Sequence, residues 1–155
     1  MNHKLKDRKQ KIGLVLGGGG AKGAYQAGVL KALKEANILP YVTHVSANSI
    51  GSINALMVVD EKIEGCAEVW KTISKKDALK LKSKSEKGGI FSRKGLIKIL
   101  ENNIDFNHVS QSDKKLYITA FNKDTQKIEY FLANGKTKEE ILSYTLASSA
   151  IPYVY

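Results

Sequence analysis

Hydrophobic and polar positions divide the first 60 residues of the chain into two successive strand and helix units. KIGLVL (residues 11–16) is short and apolar and ends in glycines, which predicts a buried parallel strand. A helix is predicted over residues 23–37, with an apolar face that comprises Ala24, Ala27, Leu30, Leu33 and Ala36. Because Pro40 interrupts a helix, YVTHVSA (residues 41–47) is expected to form a second strand. SIGSINALMVV (residues 49–59) then predicts a second helix of small and apolar residues.

The middle of the chain alternates between amphipathic and polar segments. A helix is predicted over residues 61–74, with an apolar face of Ile63, Cys66, Ala67, Trp70 and Ile73. Residues 74–89 are the most polar part of the chain, and we expect a mobile excursion with at most a weak helix. Ser92 can cap a further helix that carries Leu96, Ile97, Ile99 and Leu100.

The last third of the chain predicts a hairpin followed by a helix. Residues 116–121 and 128–132 flank the polar turn NKDTQK, as two antiparallel strands would. Thr137 precedes Glu140 by three positions, which is the pattern of a capping box. We expect the helix that starts there to continue to about Ser148.

The order of these elements predicts an α/β domain with a parallel sheet. Residues 1–10 are expected to be a disordered basic tail, which leaves residues 11–155 for one domain or part of one. No apolar run approaches the ~20 residues that cross a bilayer, and the run behind the basic start is too short for a secretory signal. A lone Cys66 among apolar neighbours suggests a buried thiol in a reducing compartment. These features predict a cytoplasmic protein.

Lysine dominates the charge of the chain. The formal net charge is +10, and Arg8 and Arg93 are the only arginines beside 23 lysines. Because base-reading proteins usually depend on the bidentate arginine side chain, we expect no nucleic-acid partner. The segment from Lys71 to Lys87 could draw the protein to an anionic membrane as a peripheral contact, or it could be an ordinary solvated loop.

The glycine run LGGGGAKG (residues 16–23) lies between the first strand and the first helix. Four consecutive glycines cost backbone entropy and offer no packing, so the site requires a backbone free of side chains. Successive N–H groups at the start of a helix can bind an anion. One interpretation is an oxyanion hole, which needs donors aimed at a developing negative oxygen.

Two nucleotide-binding interpretations of the same glycines fit less well. A dinucleotide site requires an acidic residue at the end of the second strand, where the chain has Ala47 and Asn48. A Walker loop requires Ser or Thr after Gly-Lys, whereas Lys22 lies between Ala21 and Gly23. Nucleotide binding remains a minor hypothesis.

Ser49 has the position of a nucleophile at a strand-to-helix turn. Such an elbow needs very small residues two positions before and after the serine, so that the turn can close. Gly51 meets this requirement, whereas Ala47 places a methyl group where glycine is usual. The alternative is a serine that only caps a buried helix. The glycine run and the turn at Ser49 both depend on glycine and follow consecutive strands, which favours the interpretation of Ser49 as a nucleophile.

GGGAKG (residues 18–23) and NSIGSINA (residues 48–55) together resemble the patatin-like phospholipase family, with its GGGxKG or GGGxRG and GxSxG motifs. GGIFSRKGLIKIL, LYITAFNKDTQKIEYF and LASSAIPYV also resemble that family, so the likeness extends over nearly the whole chain after the tail. The resemblance implies a three-layer α/β/α sandwich with a mainly parallel central sheet. It also implies hydrolysis of acyl esters of lipids.

The resemblance assigns roles to residues of both motifs. Ser49 would be the catalytic nucleophile, and Asn48 and Ile50 would complete the elbow with Ala47 and Gly51. The oxyanion would be held by backbone N–H groups of Gly18, Gly19 and Gly20, and Lys22 and Gly23 would shape the loop. The substrate would be a phospholipid or another acyl ester, and no cofactor is expected. No Cys and His cluster has metal-ligand spacing, so no metal site is expected either.

The family pairs its serine with an aspartate in a DGG or DGA motif, and this sequence contains no Asp-Gly dipeptide. The family places that aspartate shortly after the ASSAIP segment, so we expect a domain truncated at its C-terminus. Two interpretations stay open: an incomplete Ser-Asp acyl hydrolase, or an inactive lipid-binding or interaction remnant. His44 and His108 are weak candidates for a substitute base.

Overall fold

A computed structural model describes residues 11–74 and 93–150 of the chain. Within these residues, four strands form: β1 (Ile12–Leu16), β2 (Val42–Asn48), β3 (Lys115–Asn122) and β4 (Lys127–Leu132). The helices are α1 (Gly23–Glu35), α2 (Ile50–Val59), α3 (Ile63–Ser74), α4 (Arg93–Asn103), α5 (Phe106–Gln111) and α6 (Lys138–Ser148). Short 3-10 turns precede α1 at Gly20–Lys22 and β2 at Leu39–Tyr41.

The strands form one mainly parallel sheet in the order β1-β2-β3-β4, in which only β4 is antiparallel. Leu16 of β1 pairs with Ala47 of β2, which in turn pairs with Ile118 of β3. Because parallel strands end at the same edge of a sheet, the loops that follow β1 and β2 lie side by side. The predicted mixed α/β fold with a mainly parallel central sheet is confirmed.

Helix α2 lies at the centre of the core. Every residue from Ile50 to Val59 is buried, and the helix contains no charged side chain. A helix that is apolar on all sides must be covered on all sides. Helix α2 contacts the strands β1, β2 and β3 and the helices α1, α3, α5 and α6, which together cover it.

The two faces of the sheet differ in the part of the chain that the structure describes. Helix α6 packs on the same face as α2, where the rings of Phe131 and Tyr144 stack with centroids 4.7 Å apart. The opposite face carries the exposed apolar side chains Val15, Phe121, Ile128, Tyr130 and Leu132.

Several local predictions are confirmed. The β3–β4 hairpin forms as expected. In the capping box of α6, the Thr137 hydroxyl accepts the Glu140 N–H at 3.3 Å, and a Glu140 carboxylate oxygen accepts the Thr137 N–H at 2.9 Å. The predicted tail over residues 1–10, the polar segment after Ser74 and the Ser92 cap lie outside the described residues.

Turns in the left-handed region correct two helix boundaries. Helix α1 ends at Glu35 instead of residue 37, because Asn37 has φ of 55°, which is not a helical conformation. Helix α3 begins at Ile63 instead of residue 61, because Glu61 has φ of 58°. Tertiary packing determines such left-handed conformations, and they leave no trace in the spacing of hydrophobic residues.

Helix α5 is an element that periodicity does not predict. It is six residues long, and its start is fixed by Asp105, whose carboxylate accepts the N–H groups of Asn107 at 3.0 Å and His108 at 3.1 Å. These hydrogen bonds lower the pKa of Asp105. Among the described residues, no helix is both long and apolar enough to span a membrane.

Burial raises the pKa of the Cys66 thiol from 9.0 to about 11. The neutral thiol donates to Oδ1 of Asn54 at 3.4 Å. Folding therefore favours the protonated thiol, and this contribution is complete below pH 9 and is lost as the pH rises towards 11. We expect the free energy of unfolding to fall more steeply between pH 9 and 11 in the wild type than in Cys66→Ala. Urea denaturation of both proteins measures the difference, and parallel pH profiles would contradict it.

Candidate active site

Ser49 occupies a sharp turn between β2 and α2. Its backbone has φ of 53° and ψ of −129°, which residues with side chains rarely adopt. A strained serine between a strand and a helix is the geometry of a nucleophile elbow. Ser49 is half-buried, and the preceding Asn48 is exposed.

The elbow closes because Gly51 lies directly against the end of β1. A Cβ atom on Gly51 would overlap the Leu16 carbonyl oxygen and would lie 2.7 Å from the Leu16 carbonyl carbon and 2.8 Å from the Gly17 oxygen. Ala47, two residues before the serine, is buried within β2 between its partner strands. The structure therefore accommodates the Ala47 methyl group, whereas it has no space for a side chain at Gly51.

The glycine loop contacts the elbow. Gly17, Gly18, Gly19 and Gly20 are all exposed. A Cβ atom on Gly18 would lie 2.6 Å from Oδ1 of Asn48 and 3.1 Å from Cβ of Ser49. The fold thus brings together the two motifs that are predicted to form the site.

Glycine is needed within the loop for conformation as well as for space. Gly20 has φ of 56° and Gly19 has φ of 157°, a range that favours glycine. Lys22 is exposed at the end of the 3-10 turn, and its side chain packs against Gly19. The loop therefore presents an exposed backbone that the start of α1 holds in place.

Gly23 differs from the other loop glycines because it is buried. The ring of Trp70 covers it, and a Cβ atom there would also lie 3.0 Å from Cγ1 of Ile50. This glycine allows α1, α2 and α3 to approach one another. Its contribution to the site is packing beneath the loop.

Hydrogen bonds hold the Ser49 backbone on both sides. Its N–H donates to Oγ of Ser148 at 2.7 Å, from the last residue of α6. Its carbonyl oxygen accepts the Ser52 hydroxyl at 2.6 Å and the Ser52 N–H at 2.9 Å. Sequence reasoning assigned no role to Ser148, although the residue lies in the LASSAIPYV stretch that resembles the family.

Neither histidine candidate lies near Ser49. His108 Nδ1 is 3.1 Å from Oδ1 of Asp60, which follows the last residue of α2. The length of α2, which has ten residues, therefore separates His108 from Ser49 by about 15 Å. His44 Nδ1 contacts the Thr43 hydroxyl at 2.9 Å, and five residues of strand place it about 16 Å from Ser49. The structure contradicts a histidine base at either position.

Among the residues that the structure describes, no group of three or more His, Cys, Asp or Glu side chains could hold a metal ion.

We expect Gly51→Ala to destabilise the fold by about 2 kcal/mol or more, because its methyl group collides with rigid backbone atoms. Gly65→Ala in α3 is the matched control, since within the described part of the chain a Cβ atom there would meet only Cε of Met57 at 3.8 Å. The control should be neutral or stabilising by up to about 1 kcal/mol. Urea denaturation of both variants tests this, and equal stabilities would contradict the proposed constraint.

Ser148→Ala should leave the Ser49 N–H without its acceptor and destabilise the protein by about 1 kcal/mol or more. Ser149→Ala is the control, because among the described residues the Ser149 hydroxyl bonds only to carbonyls of its own helix. We expect Ser149→Ala to destabilise the protein by less than Ser148→Ala does. Thermal unfolding and hydrogen exchange of the Ser49 amide measure the effect, and unchanged exchange in Ser148→Ala would argue against the bond.

The chain is similar to known proteins in sequence and in structure. Lysophospholipase nte1 of Aspergillus terreus is 50% identical over 46 residues, which are 30% of this chain and 3% of that protein. Lysophospholipase nte1 of Aspergillus niger is 51% identical over 53 residues, or 34% of this chain and 3% of that protein. The matched segments thus span a small fraction of these relatives.

The crystal structure of VipD from Legionella pneumophila has the same fold. The two structures superimpose with a TM-score of 0.66 at 14% sequence identity, over 96% of this chain and 43% of VipD. The Patatin-like phospholipase family model matches residues 14–155. With the glycine loop and the strained serine turn at adjacent strand ends, the match shows that the chain belongs to the patatin-like phospholipase family.

Proposed function

We propose that this chain carries the nucleophile and oxyanion hole of a serine acyl hydrolase. The observation that carries the proposal is the contact between Gly18 and Ser49 at the carboxyl edge of the sheet. Ser49 attacks the carbonyl carbon of the ester, and the carbonyl oxygen becomes an oxyanion. Exposed N–H groups of Gly18, Gly19 and Gly20 donate to that oxygen.

The electrostatics of the loop support this role. The loop precedes the 13-residue helix α1, and the start of a helix carries a partial positive charge. A donor in an oxyanion hole accelerates acyl transfer by roughly 10² to 10³. The N–H donors and the partial charge of the helix both stabilise the negative charge that forms in the transition state.

Ester hydrolysis by this site also requires a base that accepts the proton of Ser49. The family resemblance assigns this role to an aspartate of an Asp-Gly motif, and these 155 residues contain none. Loss of a catalytic partner usually costs ~10⁴ in rate. We therefore expect the 155 residues by themselves to react slowly.

The proposed substrate is a phospholipid or another lipid acyl ester, as the family and the lysophospholipase relatives suggest. We place the protein in the cytoplasm, in peripheral contact with anionic membranes. The net charge of +10 supports the membrane contact, since each lysine near such a surface contributes about 1 kcal/mol. An inactive lipid-binding module is the alternative, and an Asp-Gly motif encoded after residue 155 would exclude it.

A fluorophosphonate probe tests Ser49 as the nucleophile. In the product of the full open reading frame, intact-mass analysis should show one adduct on the wild type, none on Ser49→Ala, and an unchanged adduct on the control Ser46→Ala. Hydrolysis of a lysophospholipid is measured in parallel for these 155 residues and for the product of the full open reading frame. Equal hydrolysis by the wild type and Ser49→Ala would reject the proposal. Binding to anionic vesicles without Ser49-dependent reaction would favour the lipid-binding alternative.

A further inference from the structure

Gln26, on the first turn of α1, joins the glycine loop to the interior of the protein. Its side-chain Nε2 donates to the Gly17 carbonyl oxygen at 2.7 Å. Its Oε1 accepts from Nδ2 of Asn54 at 2.9 Å. One side chain thus connects the first residue of the loop to the buried helix α2.

Asn54 is fully buried and has partners for both ends of its amide. Oδ1 accepts the indole N–H of Trp70 at 2.8 Å and the Cys66 thiol at 3.4 Å. Nδ2 donates to the Gly23 carbonyl at 2.9 Å and to Gln26. Helices α1, α2 and α3 therefore meet at this amide.

The direction of this hydrogen-bond chain is fixed at both ends. The Trp70 indole can only donate, and the backbone carbonyls of Gly23 and Gly17 can only accept. Asn54 must therefore turn Oδ1 towards Trp70 and Nδ2 towards Gln26. It follows that Gln26 presents Oε1 to Asn54 and its amide N–H to Gly17.

We propose that Gln26 is a positioning residue that sets the orientation of the peptide between Gly17 and Gly18. In a trans peptide the C=O and N–H groups point in opposite directions, and the described chain contains no cis peptide. With the Gly17 oxygen held towards Gln26, the Gly18 N–H points to the opposite side. Gly51 packs against the Gly17 carbonyl from one side. Without the Gln26 tether, no Cβ atom of Gly17 or Gly18 would restrict rotation of this peptide away from that contact.

The inference rests on the proposed function in one respect, the use of the Gly18 N–H as an oxyanion donor. Gly18 is the loop residue that lies against Ser49. A donor helps only when it is aimed before the charge forms. Gln26 therefore prepares the loop for catalysis without touching the substrate.

Two substitutions separate positioning from packing. Gln26→Glu keeps an oxygen for Asn54 but removes the N–H that Gly17 accepts, whereas Gln26→Met removes both bonds. Gln111→Glu makes the same change on an exposed residue of α5, which packs near the far end of α2. If Gln26 only satisfied Asn54, Gln26→Glu would behave as the wild type.

NMR of the 155-residue chain provides a readout that does not depend on activity. We expect ¹⁵N relaxation to show increased motion of the Gly17–Gly20 amides, and a shifted Gly18 signal, in Gln26→Glu and Gln26→Met. Both variants should still unfold cooperatively, with a melting temperature lowered by the loss of one or two hydrogen bonds. A rigid loop with an unshifted Gly18 signal in Gln26→Glu would overturn the inference.

The rate of Ser49 modification by a small fluorophosphonate provides the second readout. A misaligned donor should slow the reaction by up to about 100-fold in both Gln26 variants, and Gln111→Glu should react as the wild type does. These rates are measured on the product of the full open reading frame. If its wild type does not react at Ser49, the proposed function fails, and the NMR result on the 155 residues still decides the role of Gln26. A slower reaction with unchanged loop signals would also overturn the inference.

Discussion

The site depends on the contact between the first turn of α2 and the end of β1. Gly51 packs against the carbonyl groups of Leu16 and Gly17, where no side chain fits. Leu16 is the last residue of β1, and Gly17 begins the glycine loop. This one contact therefore closes the turn at Ser49 and sets the loop beside it. The distance between the two motifs follows from backbone packing and not from any flexible side chain.

The strain at Ser49 is offset by bonds from distant parts of the chain. A residue in such a backbone conformation costs about 1–3 kcal/mol, which is comparable to a few net hydrogen bonds. Ser52 holds the Ser49 carbonyl from within α2, and Ser148 holds the N–H from α6. Helix α6 is in turn fixed to the sheet, where the rings of Phe131 and Tyr144 stack. The turn is thus stable only when the whole covered face of the sheet is assembled.

The two ends of α2 have opposite electrostatic surroundings. Beyond its C-terminal end, the buried Asp60 carboxylate lies 3.0 Å from the Lys62 ammonium and 3.1 Å from the His108 ring, and it accepts the Asp105 N–H at 2.9 Å. These partners offset a negative charge at the end of a helix where it is least favoured. At the N-terminal end, Ser49 adjoins the exposed glycine loop. A negative charge is therefore electrostatically favoured at the Ser49 end of α2 and disfavoured at the Asp60 end.

The sequence by itself determined the strands, most helices and the two motifs, because periodicity, glycine runs and caps such as Thr137 with Glu140 act over a few residues. It also placed Ser49 between a strand and a helix. Only the tertiary structure decided how that serine is held. Ser148 is 99 residues away and meets it because α6 packs on the sheet. The role of Gln26 depends likewise on Asn54, since a hydrogen-bond chain through three helices leaves no periodic trace in the sequence.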